Sequence, residues 1–250
     1  MTTSAPFSST SPALLPSTIE SLQGRVLGVL HSPRQTLEAV AAAPVWAGVL
    51  ALTFAFTLVS NAALFETEVG RLALADQWER TALAFGQNVD DRMYAAMLDA
   101  SGNGVAYAAL SALASGPVLA VGMSVLLFAV FNGALGGRAR YRQVLAVTAL
   151  ASVILALRQV IAAPVSYARE TLASPTTLNL FFPAFDESSP VARFFGVIDV
   201  FVVWWVVVLA VGMSVLYRRP ARTLILAFIG AYIALALMLA IVMAVTGGTA

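Results

Sequence analysis

At 250 residues the chain is 60% hydrophobic and 11% charged, with a formal net charge of +1, against roughly 45–50% and about 25% in ordinary soluble domains. Such a composition needs lipid as its solvent. All 14 basic residues are arginine, and the absence of cysteine excludes disulfides, thiol catalysis and cysteine-based zinc sites while leaving the redox compartment open.

Residues 1–17 are rich in Ser, Thr, Pro and Ala, with no basic residue ahead of an apolar stretch, and read as a disordered tail rather than a cleaved signal. Ile19, Leu22, Val26, Val29 and Leu30 recur at three- and four-residue steps, the period of one helix face. This segment is too polar to span. It lies at the membrane surface with Arg25 towards head groups, packs on a partner or covers a bundle. Ser32-Pro33-Arg34-Gln35 offers a cap, a proline suited to the first helical position and a glutamine to close a capping box, so a second short helix starts at Pro33 and ends near Pro44. Residues 18–44 are thus read as two amphipathic, interfacial helices.

Val45 to Phe65 is the first uninterrupted apolar run, and at 1.5 Å per residue it covers roughly the 30 Å of a bilayer's hydrocarbon. Residues 66–104 carry 7 acids and 3 arginines around scattered apolar positions and read as a water-exposed helical insert. The next apolar run is longer than one bilayer needs and is interrupted at Gly116-Pro117. A second span is therefore expected over 117–136, with 105–116 as a kinked or partly interfacial extension. Further spans are expected over 144–163, 195–217 and 224–245, with a loop rich in Pro, Ser and Thr from Ser166 to Arg193. The fold class is all-α, a polytopic transmembrane bundle of about five spans occupying residues 45–246.

Arginine placement orients it. The tail and the turns 136–143 and 218–222 hold Arg25, Arg34, Arg138, Arg140, Arg142, Arg218, Arg219 and Arg222 against Glu20 and Glu38; the opposite loops hold 5 arginines against 10 acids. By the positive-inside rule the N-terminus is cytoplasmic and the C-terminus outside.

The nonapeptide Val118 to Leu126 recurs without a mismatch at Val208 to Leu216, in the second and fourth spans. Both copies run the same way and lead into an arginine-bearing turn. A duplicated helical hairpin explains this, against chance within an Ala/Val/Leu alphabet. Gly122 and Gly212 would let a neighbouring backbone approach, and Ser124 and Ser214 can bond across or back to their own helix, so both glycines are expected at helix crossings.

Two ionisable residues fall within spans, Arg158 in the third and Asp199 one turn below the outer end of the fourth. An unpaired charge at such a depth costs a few kcal/mol or more, so the two are expected to pair, either as a helix clamp or as a proton or solute relay. Arg158 alone could also snorkel to head groups. Asn61, Asn132 and Gln159 read as helix–helix hydrogen bonds. The single histidine, His31, cannot build a metal site or a catalytic triad, and no phosphate-binding or dinucleotide glycine loop occurs. No cofactor, metal or nucleic-acid partner is expected.

The order of these pieces resembles the Yip family, the Ypt/Rab-interacting membrane proteins, and its bacterial members in particular. The likeness rests on Ser32-Pro33 with Leu37 and Pro44 ahead of the first span, and on Phe131-Asn132-Gly133-Ala134-Leu135-Gly136-Gly137 followed by Tyr141-Arg142-Gln143. It rests also on Asp199-Val200-Phe201-Val202-Val203-Trp204 leading to Leu209 and Gly212. The insert 66–104 and Arg158 depart from that pattern. Eukaryotic Yip proteins look like adaptors that bind prenylated small GTPases and influence traffic or membrane shape; a bacterial member has no Rab to bind. The resemblance implies a five-span scaffold in an inner membrane with a cytoplasmic N-terminus. The function expected is a non-enzymatic interaction or membrane-organising scaffold, with lipids and a protein partner or a second copy as its partners. The alternative is a small transporter or channel subunit that uses Arg158 and Asp199.

Overall fold

The computed structural model describes residues 21–181 and 190–246; the tail over 1–17, Ile19 and part of the loop after the third span lie outside them. Twelve α-helices are described. They are α1 (Leu22–His31), α2 (Pro33–Ala42), α3 (Ala47–Phe65), α4 (Glu68–Ala84), α5 (Asp91–Ser101), α6 (Gly104–Leu113), α7 (Leu119–Phe128), α8 (Tyr141–Ala151), α9 (Val153–Arg169), α10 (Pro190–Val197), α11 (Val200–Tyr217) and α12 (Ala221–Thr246). No strand occurs among the described residues beyond one isolated β-bridge. Five helical stretches are long and apolar enough to cross a membrane: Ala47–Phe65, Gly104–Ala134, Tyr141–Arg169, Val200–Tyr217 and Ala221–Val242.

The third span, α8 and α9 hinged at Ser152, is the axis of the bundle, with Val144, Ala146, Val147, Ala149, Leu150, Ala151 and Ile154 fully buried. Around it pack α3, α7 and α11, while α12 lies outside against α11 and α10. Lipid tails are as apolar as leucine, so burial alone does not join these helices. Close packing and polar contacts do. The first span shows this inversion. Val49, Thr53, Thr57, Asn61 and Leu64 form its inward stripe, whereas Phe56 and Val59 point outward.

The second span lies in one helical stretch from Gly104 to Ala134, in which the extension expected over 105–116 is continuous with the span expected from 117. Gly116-Pro117 does not end the helix, because the turn Ala114–Val118 widens to π-helical geometry and a second such turn follows at Ala129–Ala134. A wide turn gives the proline ring room and absorbs its missing N–H. Gly104, Ala108, Ala112 and Gly116 are buried at four-residue steps. That repeat exceeds 3.6 residues per turn, and the wide turn takes up the surplus at its last step, from Ala112 to Gly116. At Gly104 a methyl group would collide with Phe65, so α6 lies backbone-close on α3.

Other boundaries also move. The third span runs from Tyr141 to Arg169 rather than over 144–163, and the fifth helix begins at Ala221. The fourth begins at Val200, not at 195, because the chain breaks at Ile198-Asp199 between α10 and α11. The capping box at Ser32 does not form: its amide donates to Gly28 O at 2.7 Å, closing α1, and its side chain makes no cap bond to α2. Helix α2 is also no loose surface element, since Thr36, Leu37 and Val40 are buried against α8 and α11. The acidic insert is likewise docked along one side. Gly70, Ala73, Leu74 and Ala75 of α4 are buried, Trp78 meets Tyr107 edge-on at 5.3 Å, and Tyr94 donates to Asp76 at 2.7 Å. That hydrogen bond to a carboxylate pushes the Tyr94 phenol above its usual pKa.

The two copies of the nonapeptide occupy different surroundings. At Gly212 a methyl group would strike Val147 of α8 and approach Leu37 Cδ2 of α2 at 3.4 Å, so this glycine sits where three helices meet. Gly122 has no neighbour within 4 Å of such a methyl. The crossing expected at Gly122 is therefore not made within the chain, because α7 turns that face outward along with Val118, Val121 and Val125. Gly212→Ala is expected to destabilise the detergent-solubilised protein by about 1–3 kcal/mol through overpacking. Gly122→Ala should leave stability unchanged or raise it by up to about 1 kcal/mol through helix propensity. Thermal unfolding of the two variants side by side checks both.

Candidate functional site

The bundle has a polar set at each end. At the end bearing the acidic loops, Arg158 and Asp199 meet: Arg158 Nε donates to Asp199 Oδ2 at 2.7 Å. Arg158 lies nearly five turns along the third span from Tyr141, roughly 26 Å at 1.5 Å per residue. Asp199 is not inside the fourth helix, as its sequence position suggested. It is the N-cap of α11, with extended backbone, and its Oδ1 accepts from Phe201 N at 2.8 Å and Val202 N at 3.3 Å. Those amides have no partner within the helix, and an aspartate before Val200 satisfies them.

The second oxygen is as heavily engaged. Asp199 Oδ2 accepts from Thr176 Oγ1 at 2.5 Å and Ser174 Oγ at 3.1 Å besides Arg158, and Arg158 Nη2 donates to Ser174 Oγ at 3.0 Å. The loop carrying these hydroxyls is held by a β-bridge between Thr177 and Asp199, with Leu178 N donating to Ile198 O at 2.8 Å and Val200 N to Thr176 O at 3.0 Å. From α12, the Tyr232 hydroxyl accepts from Asp199 N at 3.2 Å and donates to Val197 O at 2.8 Å. The aspartate is 3% exposed, and the arginine side chain 31%. Third span, returning loop and fourth span close on one carboxylate, and the fifth span reaches the backbone of the same residue. Ser174, Thr176 and Tyr232 were not singled out in the sequence. Tyr232 is the one signal available, a lone phenol in an otherwise apolar stretch of α12.

Beside this pair lies a cavity of about 180 Å³ between the first, second and third spans, lined by Thr53, Thr57, Ser115, Ser152, Arg158 and Gln159 among others. Next to it Asn61 Nδ2 donates to Ser111 Oγ at 2.6 Å, and Gln159 Nε2 donates to Asn61 Oδ1, so three spans share one amide network.

At the opposite, arginine-bearing end, the residues of the second motif gather in the turn between α7 and α8. Asn132 Nδ2 donates to Ala139 O and its Oδ1 accepts from the Tyr217 hydroxyl, both at 2.7 Å. Gly136 has φ +69, and Gly137 packs so tightly that a side chain there would meet the Tyr217 ring. The Tyr217 and Phe131 rings stack at 4.7 Å. Gln143 Oε1 accepts from Arg140 N, and its Nε2 donates to Ala41 O, both at 2.9 Å, tying α8 to the end of α2. Ser124 Oγ donates to Val121 O at 2.7 Å and lies 2.9 Å from the Tyr141 hydroxyl. Ser214 Oγ likewise donates to Val211 O at 2.7 Å. Arg142 is exposed, and Phe201 and Trp204 are half-buried, their rings 6.1 Å apart. Among the described residues no group of acids and histidine is placed to hold a metal ion.

A family model for the Yip1 domain matches residues 27–244, from within α1 almost to the end of α12. The chain belongs to the Yip1-domain family. No curated protein and no solved structure matches it. The Yip1 match spans both polar ends, the acidic insert and all five candidate spans, and the chain is an integral membrane protein.

Removing the Asp199 carboxylate from this Yip1 domain leaves Arg158, two hydroxyls and two helix amides without their acceptor. Asp199→Ala is expected to cost about 3–5 kcal/mol. Asp199→Asn, which keeps an oxygen for the amides, should cost clearly less, as should the paired change Arg158→Leu with Asp199→Asn. Unfolding of all three in mixed micelles checks the order.

Proposed function

We propose that this Yip1-domain protein is a non-enzymatic membrane scaffold that holds a protein partner or a second copy of itself among membrane lipids. The observation that carries this reading is the closure of the Arg158–Asp199 pair. Asp199 is engaged by five donors, and Arg158 is engaged by Asp199 and Ser174. A relay residue needs a partner it can release, whereas this carboxylate is committed to a helix cap, a loop and the third span. The pair acts as a clamp that fixes the ends of three spans. With the arginine count placing α1 and α2 on the cytoplasmic side, the scaffold sits in a bacterial inner membrane with its N-terminal helices held against the bundle.

One observation favours a second reading, transport of a small solute: a cavity with four hydroxyl side chains in a mostly apolar lining reaches Arg158 and Gln159 within the spans. Two measurements separate them. In-cell crosslinking followed by pull-down of the intact protein should recover a specific partner or a self-oligomer. Reconstituted liposomes should show no proton-coupled or solute flux above protein-free vesicles. Flux abolished by both Arg158→Ala and Asp199→Asn would replace the scaffold with a transporter.

A further inference from the structure

The three-residue turn Arg218-Arg219-Pro220 between α11 and α12 borders a cleft of about 530 Å³ lined by Arg34, Glu38, Ser214, Arg218, Arg219 and Ala221 among others. Arg34 and Glu38 form an ion pair at 3.1 Å and offset each other. Arg218 and Arg219 have no side-chain hydrogen bond or ion pair among the described residues, so the cleft keeps two uncompensated cations. Ala221 opens α12, whose first free amides and positive dipole end border the same space.

The backbone adds an independent observation. Arg218 closes α11 in the left-handed region, φ 51 and ψ 41, where an L side chain is strained and glycine is not. The corresponding turn after the second span uses glycine for this purpose, Gly136 at φ +69. An arginine at such a position projects a charge where the turn alone would favour none. The apolar run of α12 begins at Leu224, one helical turn beyond Pro220, so a bilayer around the spans would bring its phosphates near the level of the cleft.

We propose that this cleft seats the phosphate of an anionic phospholipid headgroup, with Arg218 and Arg219 donating to its oxygens beside the first amides of α12. The inference is separate from the scaffold reading, because lipid held here is compatible with either crosslinking or flux. The probe is phosphatidylglycerol in phosphatidylcholine nanodiscs carrying the full chain, with lipid retained after mild detergent release counted by native mass spectrometry. Arg218→Gly and Arg219→Gln together remove both charges, and the first also relaxes the left-handed cap, so reduced folding is not expected. Lipid-free thermal unfolding verifies that.

Each arginine lost should weaken phosphatidylglycerol retention about fivefold, and the pair roughly 25-fold, while phosphatidylcholine retention stays unchanged. Arg92→Gln, the same charge change on α5 at the other end, should have no effect. Unaltered phosphatidylglycerol retention in the double variant would overturn the proposal. An equal loss in Arg92→Gln would overturn it as a net-charge effect, and displacement of the lipid by millimolar inorganic phosphate would overturn it in favour of a free-anion site.

Discussion

The acidic end of the bundle is organised by the requirement that the Asp199 carboxylate not face hydrocarbon unpaired. One ionised acid beside lipid can be carried only if nearly all of its acceptor capacity is used, because each missing donor is paid for in desolvation. Five donors from the third span, the returning loop and α11 itself meet that requirement. Other features follow from it. The helix must break before Val200 so that its first amides can turn to the carboxylate. The loop must return as far as Thr176, and the β-bridge at Thr177 holds it there. Tyr232 must be a phenol because the backbone at the break leaves Asp199 N and Val197 O without helical partners.

At the other end the same problem, free backbone groups near lipid, is solved without a charge pair. Asn132 and Gln143 are amides that both donate and accept, and each joins the α7–α8 turn to a separate element, Asn132 to Tyr217 at the end of α11 and Gln143 to Ala41 at the end of α2. Helix α2 is thereby part of the bundle and not a float on its surface. With Gln143 tied to Ala41 O at one end and Arg158 to the Asp199 carboxylate at the other, the central third span has polar anchors above and below a largely apolar stretch.

Much of this was legible in the sequence. Hydropathy located the five spans, and the depth match of Arg158 and Asp199 suggested that they meet. The motif around Asn132, Gly136, Gly137 and Gln143 marked the turn that Gln143 and Asn132 now secure. What was hidden had physical reasons. Asp199 looked like a residue within a span because Phe194 to Val203 is apolar on both sides of it, and hydropathy does not register a cap. Gly116-Pro117 looked like an interruption because a π-helical turn has no compositional mark apart from the residues that also break helices. The four-residue row of Gly104, Ala108, Ala112 and Gly116 is written in the sequence, and its small side chains allow the close packing of α6 on α3. Docking of α2 depended on Leu37 meeting Gly212, a contact between residues too far apart for any local period to express.

The repeated nonapeptide gives the clearest separation between what a sequence specifies and what its neighbours decide. Both copies are helical, and both serines return the same bond to the carbonyl three residues back. Helix propensity and local bonding are therefore duplicated. Burial is not: in one copy Val208, Leu209, Gly212 and Met213 are in the core, and in the other Val118, Val121, Gly122 and Val125 lie outside. In water such a difference would be forbidden, since the outward copy would expose an apolar face. In a bilayer the transfer between lipid and protein interior is nearly neutral for Val and Leu, so the same nine residues satisfy both places. The exception is glycine, which is required only where another backbone or side chain presses in. Gly212 meets that condition through Val147 and Leu37, and Gly122 does not, which makes the inner copy the one whose sequence the fold constrains.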